Sequence, residues 1–452
     1  MKAAIAVAEP FSPQQLAERT KQRRAIEAVI WGMPIVSVDA MRQAFFRVGA
    51  KYNDVLFFSR PADWKWQVTT PNASSLYVFV QFNLANGPIV VDLPAAVGAG
   101  LFGSILDAWQ VPLTDVGPAG EDAGKGGRYL LLPPDFTTDE RAADYTVRSA
   151  THNGYAVLRA IPASHSDQDT AKALALVKQL RVYPLESSSA PPQRHIDIAG
   201  TLFDGISRMD DTFFDSLARM VNEEPVQSRD MVAMGQLRSI GIEKGKPFMP
   251  DAALRAILKK AAVEAQAMFM NATTAGVVPY WPKTKWGSPA YVLTGAQTAF
   301  TYQIGDHLNV DDRGAMFFFA CAGPRKLGAA TLYMLEARDS TNALLEGDAM
   351  YRLHVPPNVP ARQFWAVTVY DLETAAFIRE APTIEINSYQ DLQKNQDGSV
   401  DVFFGPRPVS GKESNWIHTP PGRHWVAAFR FYGPDESIRD RTWTMGDIER
   451  VK

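Results

Sequence analysis

From about Val55 to Arg159 the chain sets short apolar runs between turn formers. VLFF, LYVFVQFNL, PIVVDL, RYLLL, YTVRSA and YAVLRAI are separated by proline, glycine and asparagine. Runs of that length and texture predict strands of an antiparallel sheet. The same texture returns from Met350 in MYRLHV, FWAVTVYDL, VDVFFG and WVAAFRFYG. Within FWAVTVYD, alternation puts Phe364, Ala366 and Thr368 on one face and Trp365, Val367 and Val369 on the other, so Trp365 is expected in a core. Between the two β-rich regions the pattern is helical. Asp169 is placed to cap a helix through KALALVKQL, DDTFFDSLARMV opens on an aspartate pair, SRDMVAMGQLRSIG ends at glycine, and PDAALRAILKKAAVEAQAMF is the longest candidate. Another helix is expected from Ser12, where Ser12-Pro13-x-Gln15 supplies an N-cap, a proline at the first helical position and a capping-box partner. Pro34 is expected to interrupt it. After Ser288 the pattern is mixed, with a helix expected through GAATLYMLEAR. The order is helix, sheet, helices, sheet: an α+β, β-rich fold.

Length and charge narrow the field. A chain of 452 residues has room for two or three domains. Its net charge of -3 and lack of a basic block give no footprint for nucleic acid. The single cysteine, Cys321, rules out an intramolecular disulfide or a cysteine-built metal site, and its apolar run MFFFACAG suggests a buried, inert thiol. No apolar stretch approaches the ~18 residues of a transmembrane segment. The start, MKAAIAVAEPF, has an Ala-x-Ala triplet at Ala6 to Ala8 but too short an apolar region for a working secretory signal. The plain expectation is cytoplasmic, with the periplasm open if a signal has been truncated.

Familiar cofactor and catalytic signatures fail. Gly98, Gly100 and Gly103 fit the spacing of a dinucleotide-binding turn, but SILDAWQV is cut by Pro112 and DVGPAGEDAGKGG follows as a loop, so no crossover helix is available. These glycines are expected to turn between strands. GPAGEDAGKGG misses a phosphate-binding loop, because Gly120 stands one residue too close to Gly124-Lys125 and Gly126 replaces the hydroxyl residue. There is no GxSxG and no HExxH, so no cofactor is predicted. The histidines, at 152, 165, 195, 307, 354, 418 and 424, include no i, i+4 pair. His418 and His424 flank a Pro-Pro-Gly turn and His307 lies near acids, yet each lacks a full ligand set in sequence, and no metal site is assigned.

Longer stretches carry a resemblance. TTPNASSLYVFVQFNL, PIVVDLP, SILDAWQ and KGGRYLLLPPDF resemble the bacterial family known as domain of unknown function 1254. LHVPPNVPARQFWAVTVYD, NQDGSVDVFFGP, ESNWIHTPPG and FRFYGPDESI resemble its usual companion, domain of unknown function 1214, and TFFDSLARMVNEEP with QLRSIGIEKGKPF fits between them. The resemblance implies an antiparallel N-terminal β module over 12–190, central helices over 195–287, and a jelly-roll-like β-sandwich over 288–452. Secretion signals in many members also keep the periplasm open. One departure stands out. The family usually reads Asn-x-Asp-Thr-x-Tyr where this chain has Asn72-Ala73-Ser74-Ser75-Leu76-Tyr77. Chemistry needing that carboxylate would be lost or moved, whereas a turn could be tied by the Ser74 hydroxyl instead.

The candidate chemistry gathers polar residues from several β segments. Asp107 and Trp109 of LDAW, two apart on an extended segment, would face one way, and an indole beside a carboxyl raises its pKa toward proton transfer. Tyr77 would stabilise an oxyanion, His152 would complete the acid–base set, and Asn72 and Asn153 would orient the substrate. Trp64 in WKW and Trp281 in YWPKTKW are expected to line a pocket or a subunit contact. The leading reading is an enzyme acting on a small apolar or aromatic organic molecule by hydrolysis or elimination, without a redox cofactor. The alternatives are a non-catalytic small-molecule or glycan binder associated with the envelope, and a metal-dependent enzyme. The loop tryptophans equally suit a homo-oligomer.

Overall fold

The computed structural model describes residues 11–137, 143–164, 166–186, 192–325 and 331–451. The Ala6–Ala8 triplet and His165 lie outside them. The helices are α1 (Pro13–Arg47), α2 (Asp167–Val177), α3 (Phe213–Glu223), α4 (Met231–Arg238), α5 (Ala252–Ala275), α6 (Ala290–Gln297), α7 (Val310–Phe319) and α8 (Glu436–Arg439). None is long and apolar enough to cross a membrane.

α1 begins as its sequence predicts, with the Ser12 hydroxyl accepting from the Gln15 amide and the Gln15 side chain returning to the Ser12 amide. The expected break at Pro34 does not occur, and the helix continues to Arg47. A proline withholds the amide that would bond the carbonyl four residues back, here that of Ile30. Neighbours close over this stretch: a Cβ on Gly314 of α7 would sit 2.8 Å from the Ile30 oxygen, and Arg313 donates to the Trp31 carbonyl at 3.2 Å. Tertiary packing holds the helix through its proline. From Ala25 to Phe45 α1 is buried on almost every side, as a helix in the middle of a core must be.

Two β-sandwiches flank that helical core. In the first, a six-stranded sheet runs β11 (His195–Asp197), β1 (Val55–Phe57), β3 (Leu76–Asn83), β9 (Asn153–Pro162), β5 (Ala99–Asp107), β6 (Pro112–Val116). It faces β10 (Arg181–Pro184), β4 (Ile89–Leu93), β7 (Gly127–Leu132) and β8 (Tyr145–Arg148). In the second, the sheet order is β13 (Val277–Pro279), β14 (Gly287–Pro289), β17 (Thr331–Glu336), β23 (Trp425–Pro434), β19 (Ala361–Asp371), β20 (Glu385–Asn387). Its partner sheet is β22 (Trp416–His418), β21 (Val400–Gly405), β18 (Met350–Val355) and β24 (Glu449–Val451). Two short ladders complete the set, β2 (Trp66–Gln67) with β12 (Phe203–Asp204) and β15 (Gln303–Ile304) with β16 (His307–Leu308). Pairing is antiparallel except at β1–β11, β2–β12, β7–β8 and β21–β22.

Side-chain alternation explains how the layers stack. Leu76, Val78, Val80 and Phe82 of β3 enter the first sandwich, while Tyr77 and Phe79 turn toward the helices. Trp365, Val367 and Val369 of β19 fill the second sandwich, so Trp365 is the core residue its pattern predicts. Tyr370 of the same strand and Ala428 of β23 share the helical core with Tyr77 and Phe79. The inner sheets of the two sandwiches therefore meet through one layer.

Two local expectations are corrected. TLYMLE is strand β17 rather than helix, paired from Thr331↔Tyr432 to Glu336↔Ala427. Its short apolar run suits either period, and the long β23 beside it decides. Gly98 does turn the chain, at φ +75°, but Gly100 and Gly103 lie inside β5. A Cβ on Gly103 would stand 2.1 Å from the Val157 carbonyl oxygen of β9, so only glycine fits that approach. β5 pairs antiparallel on both sides, which leaves no parallel crossover for a dinucleotide turn.

Candidate functional site

Strand β9 measures how far apart the candidate residues fall. Tyr77 of β3 pairs with Arg159, Asn83 pairs with Asn153, and Asp107 of β5 pairs with Gly154. About five residues, roughly 17 Å, separate Arg159 from Gly154 along the strand. Tyr77 and Asp107 thus cannot act on one substrate atom. The constellation of Asn72, Tyr77, Asp107, Trp109, His152 and Asn153 resolves into three places.

Asp107 ends β5 as a buried turn residue. Its Oδ1 accepts from the Trp109 and Val111 amides, both at 2.9 Å, and Gln110 closes the turn at φ +61°. The chain therefore turns at Ala108 and Trp109, and Asp107 and Trp109 do not share a strand face. Burial pushes the Asp107 carboxyl up to about 7, against the pull of those amides and of Arg229. Trp109 packs edge-on to Trp31 at 4.8 Å and beneath the Arg313 guanidinium at 5.0 Å.

His152 and Asn153 belong to a polar hub that docks β9 onto α1 and α3. The Asn153 amide donates to Glu223 at 2.9 Å and Glu224 at 2.7 Å, and its carbonyl accepts from Arg42 (2.9 Å), Tyr52 (2.7 Å) and Asn83 (2.8 Å). Arg42 also holds Asp39 at 2.7 Å and Glu223. The His152 ring nitrogen lies 3.1 Å from the Glu223 carbonyl, and its main-chain amide donates to Glu224 at 2.6 Å. Every Asn153 polar atom has a partner, as a structural joint requires. Trp281 is likewise corrected: it is fully buried in the second sandwich, 5.8 Å from the Trp443 ring. Trp64 packs half-buried against the helical core beside Lys65. Flanking lysines and prolines do not keep an indole outside when its ring can turn inward.

Asn72 and Tyr77 lead somewhere different. Asn72 Oδ1 accepts from the Ser74 amide (3.1 Å), the Ser75 amide (3.1 Å) and the Ser75 hydroxyl (2.8 Å), and the Asn72 amide donates to the Tyr77 hydroxyl at 3.0 Å. Asn72 thus ties the turn itself, which frees Ser74, standing where the resemblance places an acid. The Ser74 hydroxyl donates to Glu385 Oε1 on β20, and the Ala73 amide donates to Oε2 at 3.2 Å. Thr368 of β19 donates to the same Oε2 at 2.8 Å. Arg430 of β23 reaches Thr368 at 2.5 Å, the Tyr370 hydroxyl, and the Thr70 and Pro71 carbonyls at 3.4 Å each.

Around this clamp the second sheet raises aromatic rings. Arg430 lies between Tyr333 (5.0 Å) and Tyr370 (5.5 Å), and Arg159 of β9 lies 5.3 Å over Tyr77. Tyr432 stacks on Phe364 at 4.0 Å, and Phe364 meets Tyr389 at 4.8 Å. Tyr333 is 40% and Tyr389 52% exposed, so the rings form a cover on the solvent side. Beneath it, Arg159 Nε, Arg430 Nε and the Tyr432 hydroxyl are buried with no hydrogen-bond partner among the described residues. Burial and the adjacent Tyr333 hold the Tyr432 hydroxyl well above the usual tyrosine pKa although Arg430 pulls it down, so it is a proton donor. Arg159, Glu385, Arg430, Tyr333 and Tyr432 escape a motif search. Their one signal is an arginine inside each of two apolar strands, YAVLRAI and VAAFRFYG.

Residues 52–184 match the family described as DUF1254, and residues 330–436 match the one described as "Protein of unknown function (DUF1214)". The chain belongs to the tandem DUF1254–DUF1214 family. Ser74, Tyr77 and Arg159 come from the DUF1254 segment, and Tyr333, Thr368, Tyr370, Glu385, Arg430 and Tyr432 from the DUF1214 segment, so the cluster lies where the two domains of this tandem protein meet. The crystal structure of the VPA0106 protein from Vibrio parahaemolyticus is similar at TM-score 0.54 and 17% identity, over 96% of this chain and 100% of that one. An uncharacterized protein from Burkholderia cenocepacia is similar at TM-score 0.42 and 14% identity, over 97% of this chain and 96% of that one. The first likeness is one of fold. No curated protein matches the tandem chain.

His307 is exposed beside Asp306, His418 sits in β22 against the Trp416 ring, and His424 bridges to Glu346. Among the described residues no three His, Cys, Asp or Glu side chains group as metal ligands.

Proposed function

We propose that the protein binds a small organic molecule with an aromatic or apolar body at the arginine–tyrosine cluster between its two domains. The observation that carries this reading is the trio of buried, unpartnered groups under an aromatic cover: Arg159 Nε, Arg430 Nε and the Tyr432 hydroxyl. Buried donors left unpaired cost free energy, and a ligand acceptor relieves that cost. Apolar walls with a few convergent polar groups are the usual make-up of a small-molecule site.

The reading is tested by a thermal-stability screen of neutral and charged aromatic and alicyclic compounds. A ligand at about a hundred times its Kd adds ~2.7 kcal/mol of stability. The proposal expects such a ligand to stabilise the wild type and to lose most of its effect on Tyr432→Ala. A panel with no stabilising member, or one that stabilises Tyr432→Ala equally, overturns it.

A second reading, acid–base catalysis on the bound molecule, is favoured by the Ser74 hydroxyl donating to Glu385 at the edge of the same cluster. It expects chromatography to find ligand consumed by wild type and intact with Glu385→Gln. An intact ligand with wild type leaves only the binding reading.

A further inference from the structure

The charges inside the cluster do not balance, and the imbalance identifies the ligand class. Two guanidinium groups, Arg159 and Arg430, approach the same tyrosines: both lie within electrostatic reach of Tyr333 and Tyr432. One carboxylate, Glu385, stands with them, and it is committed to joining the two domains. It accepts from Ser74, Ala73 and Thr368, and Thr368 in turn accepts from Arg430. Arg430 is committed as well, to Tyr370 and to the Thr70 and Pro71 carbonyls.

Arg159 has no such partner. Its neighbours are tyrosines: the guanidinium lies over the Tyr77 ring at 5.3 Å and is favoured by the Tyr77 side chain, and Tyr333 and Tyr432 act on it as well. The Cys321 thiol is also near, but burial holds it protonated against the pull of the Thr69 side chain and of Arg159. Among the described residues no carboxylate pairs with Arg159, and its Nε is buried and unbonded. A buried N–H donor left unbonded is costly, and a ligand acceptor relieves that cost.

We infer that the bound molecule is a small aromatic carboxylate, and that Arg159 receives its carboxylate group. This inference rests on the binding reading above. The guanidinium edge of Nε and one terminal nitrogen presents two parallel N–H groups, which match the two oxygens of a carboxylate. The Tyr432 hydroxyl supplies a third donor. The planar body of the ligand lies against Tyr333 and the Tyr432–Phe364 stack, where a ring finds offset or edge contacts. Arg430 keeps the second domain in place and adds its positive potential.

Isothermal titration of the full chain with benzoate and with benzamide tests this, because the two probes share shape and differ in charge. Benzoate is expected to bind wild type about tenfold or more tightly than benzamide, as a charge-assisted bidentate pair requires. Arg159→Gln is expected to remove that preference, bringing the benzoate and benzamide affinities within about twofold of each other; Arg159→Lys, which keeps the charge but not the fork, should recover part of it. The wild-type ratio decides the matter even if a variant fails to fold. Equal binding of the two probes, or an undiminished benzoate preference in folded Arg159→Gln, overturns the inference. If neither probe binds while neutral members of the wider screen do, the carboxylate inference fails and the binding reading stands. If nothing in the screen binds, both fail.

Discussion

Replacing Asp107 with asparagine separates a buried turn from an acid–base centre. The folded Asp107 carboxyl has a pKa of about 7 against 3.8 for the free group, raised mainly by burial. A carboxyl that holds its proton more tightly when folded loses folding free energy as it ionises. The cost is absent below about pH 3.8, grows with pH, and is complete above about pH 7. At ~1.36 kcal/mol per unit, the shift from 3.8 to about 7 amounts to roughly 4 kcal/mol. Asparagine keeps an oxygen for the Trp109 and Val111 amides but does not ionise. Urea unfolding of both proteins at about pH 5 and about pH 8 reads the difference. Part of the cost is already present at the lower pH, so the stability of Asp107→Asn relative to wild type should rise by about 2–3 kcal/mol between the two. Glu336, also raised by burial, does not interact with Asp107, titrates alike in both proteins and cancels. A relative stability that does not change with pH would refute the reasoning.

Other outcomes follow from the same geometry. Arg430→Met strips the clamp from Thr368, Tyr370 and the Thr70 and Pro71 carbonyls, and calorimetry should show a loss of about 3–5 kcal/mol, as for other broken buried charge networks. Arg159→Met removes the guanidinium that lies over the Tyr77 ring, and isothermal titration of the folded variant should show benzoate binding lost. Gly103→Ala drives a Cβ into the Val157 carbonyl of β9 and should cost several kcal/mol, ~3 or more, seen as a lowered Tm.

Much of the fold was legible where local rules and tertiary packing agree. The Ser12 capping box starts α1 as written, and the alternation of FWAVTVYD sends Trp365 into a core. The misses arise where distant partners override local preference. Pro34 is carried through α1 by the packing of α7, and TLYMLE becomes a strand because β23 offers a long edge. LDAW looks extended, but its aspartate captures two amides and closes a turn. Of the residues singled out in the sequence, Asn72 and Tyr77 lie at the edge of the proposed site but do not have the roles expected of them. They build the turn that presents Ser74, while Arg159, Arg430 and Tyr432, each with one buried unbonded atom, sit far apart in sequence on strands of two domains. No spacing rule joins them, because register across two separate sheets is fixed only on folding.

The account depends on Arg159 as an anion receptor, and a crystal grown with 4-bromobenzoate tests that most directly. The predicted result is a carboxylate with its oxygens at about 2.7–3.0 Å from Arg159 Nε and one terminal nitrogen, and an anomalous bromine peak on the side of Tyr333 and Tyr389. Well-diffracting crystals with Arg159 Nε bonded to a protein group, and bromine only at remote surface positions, would contradict it.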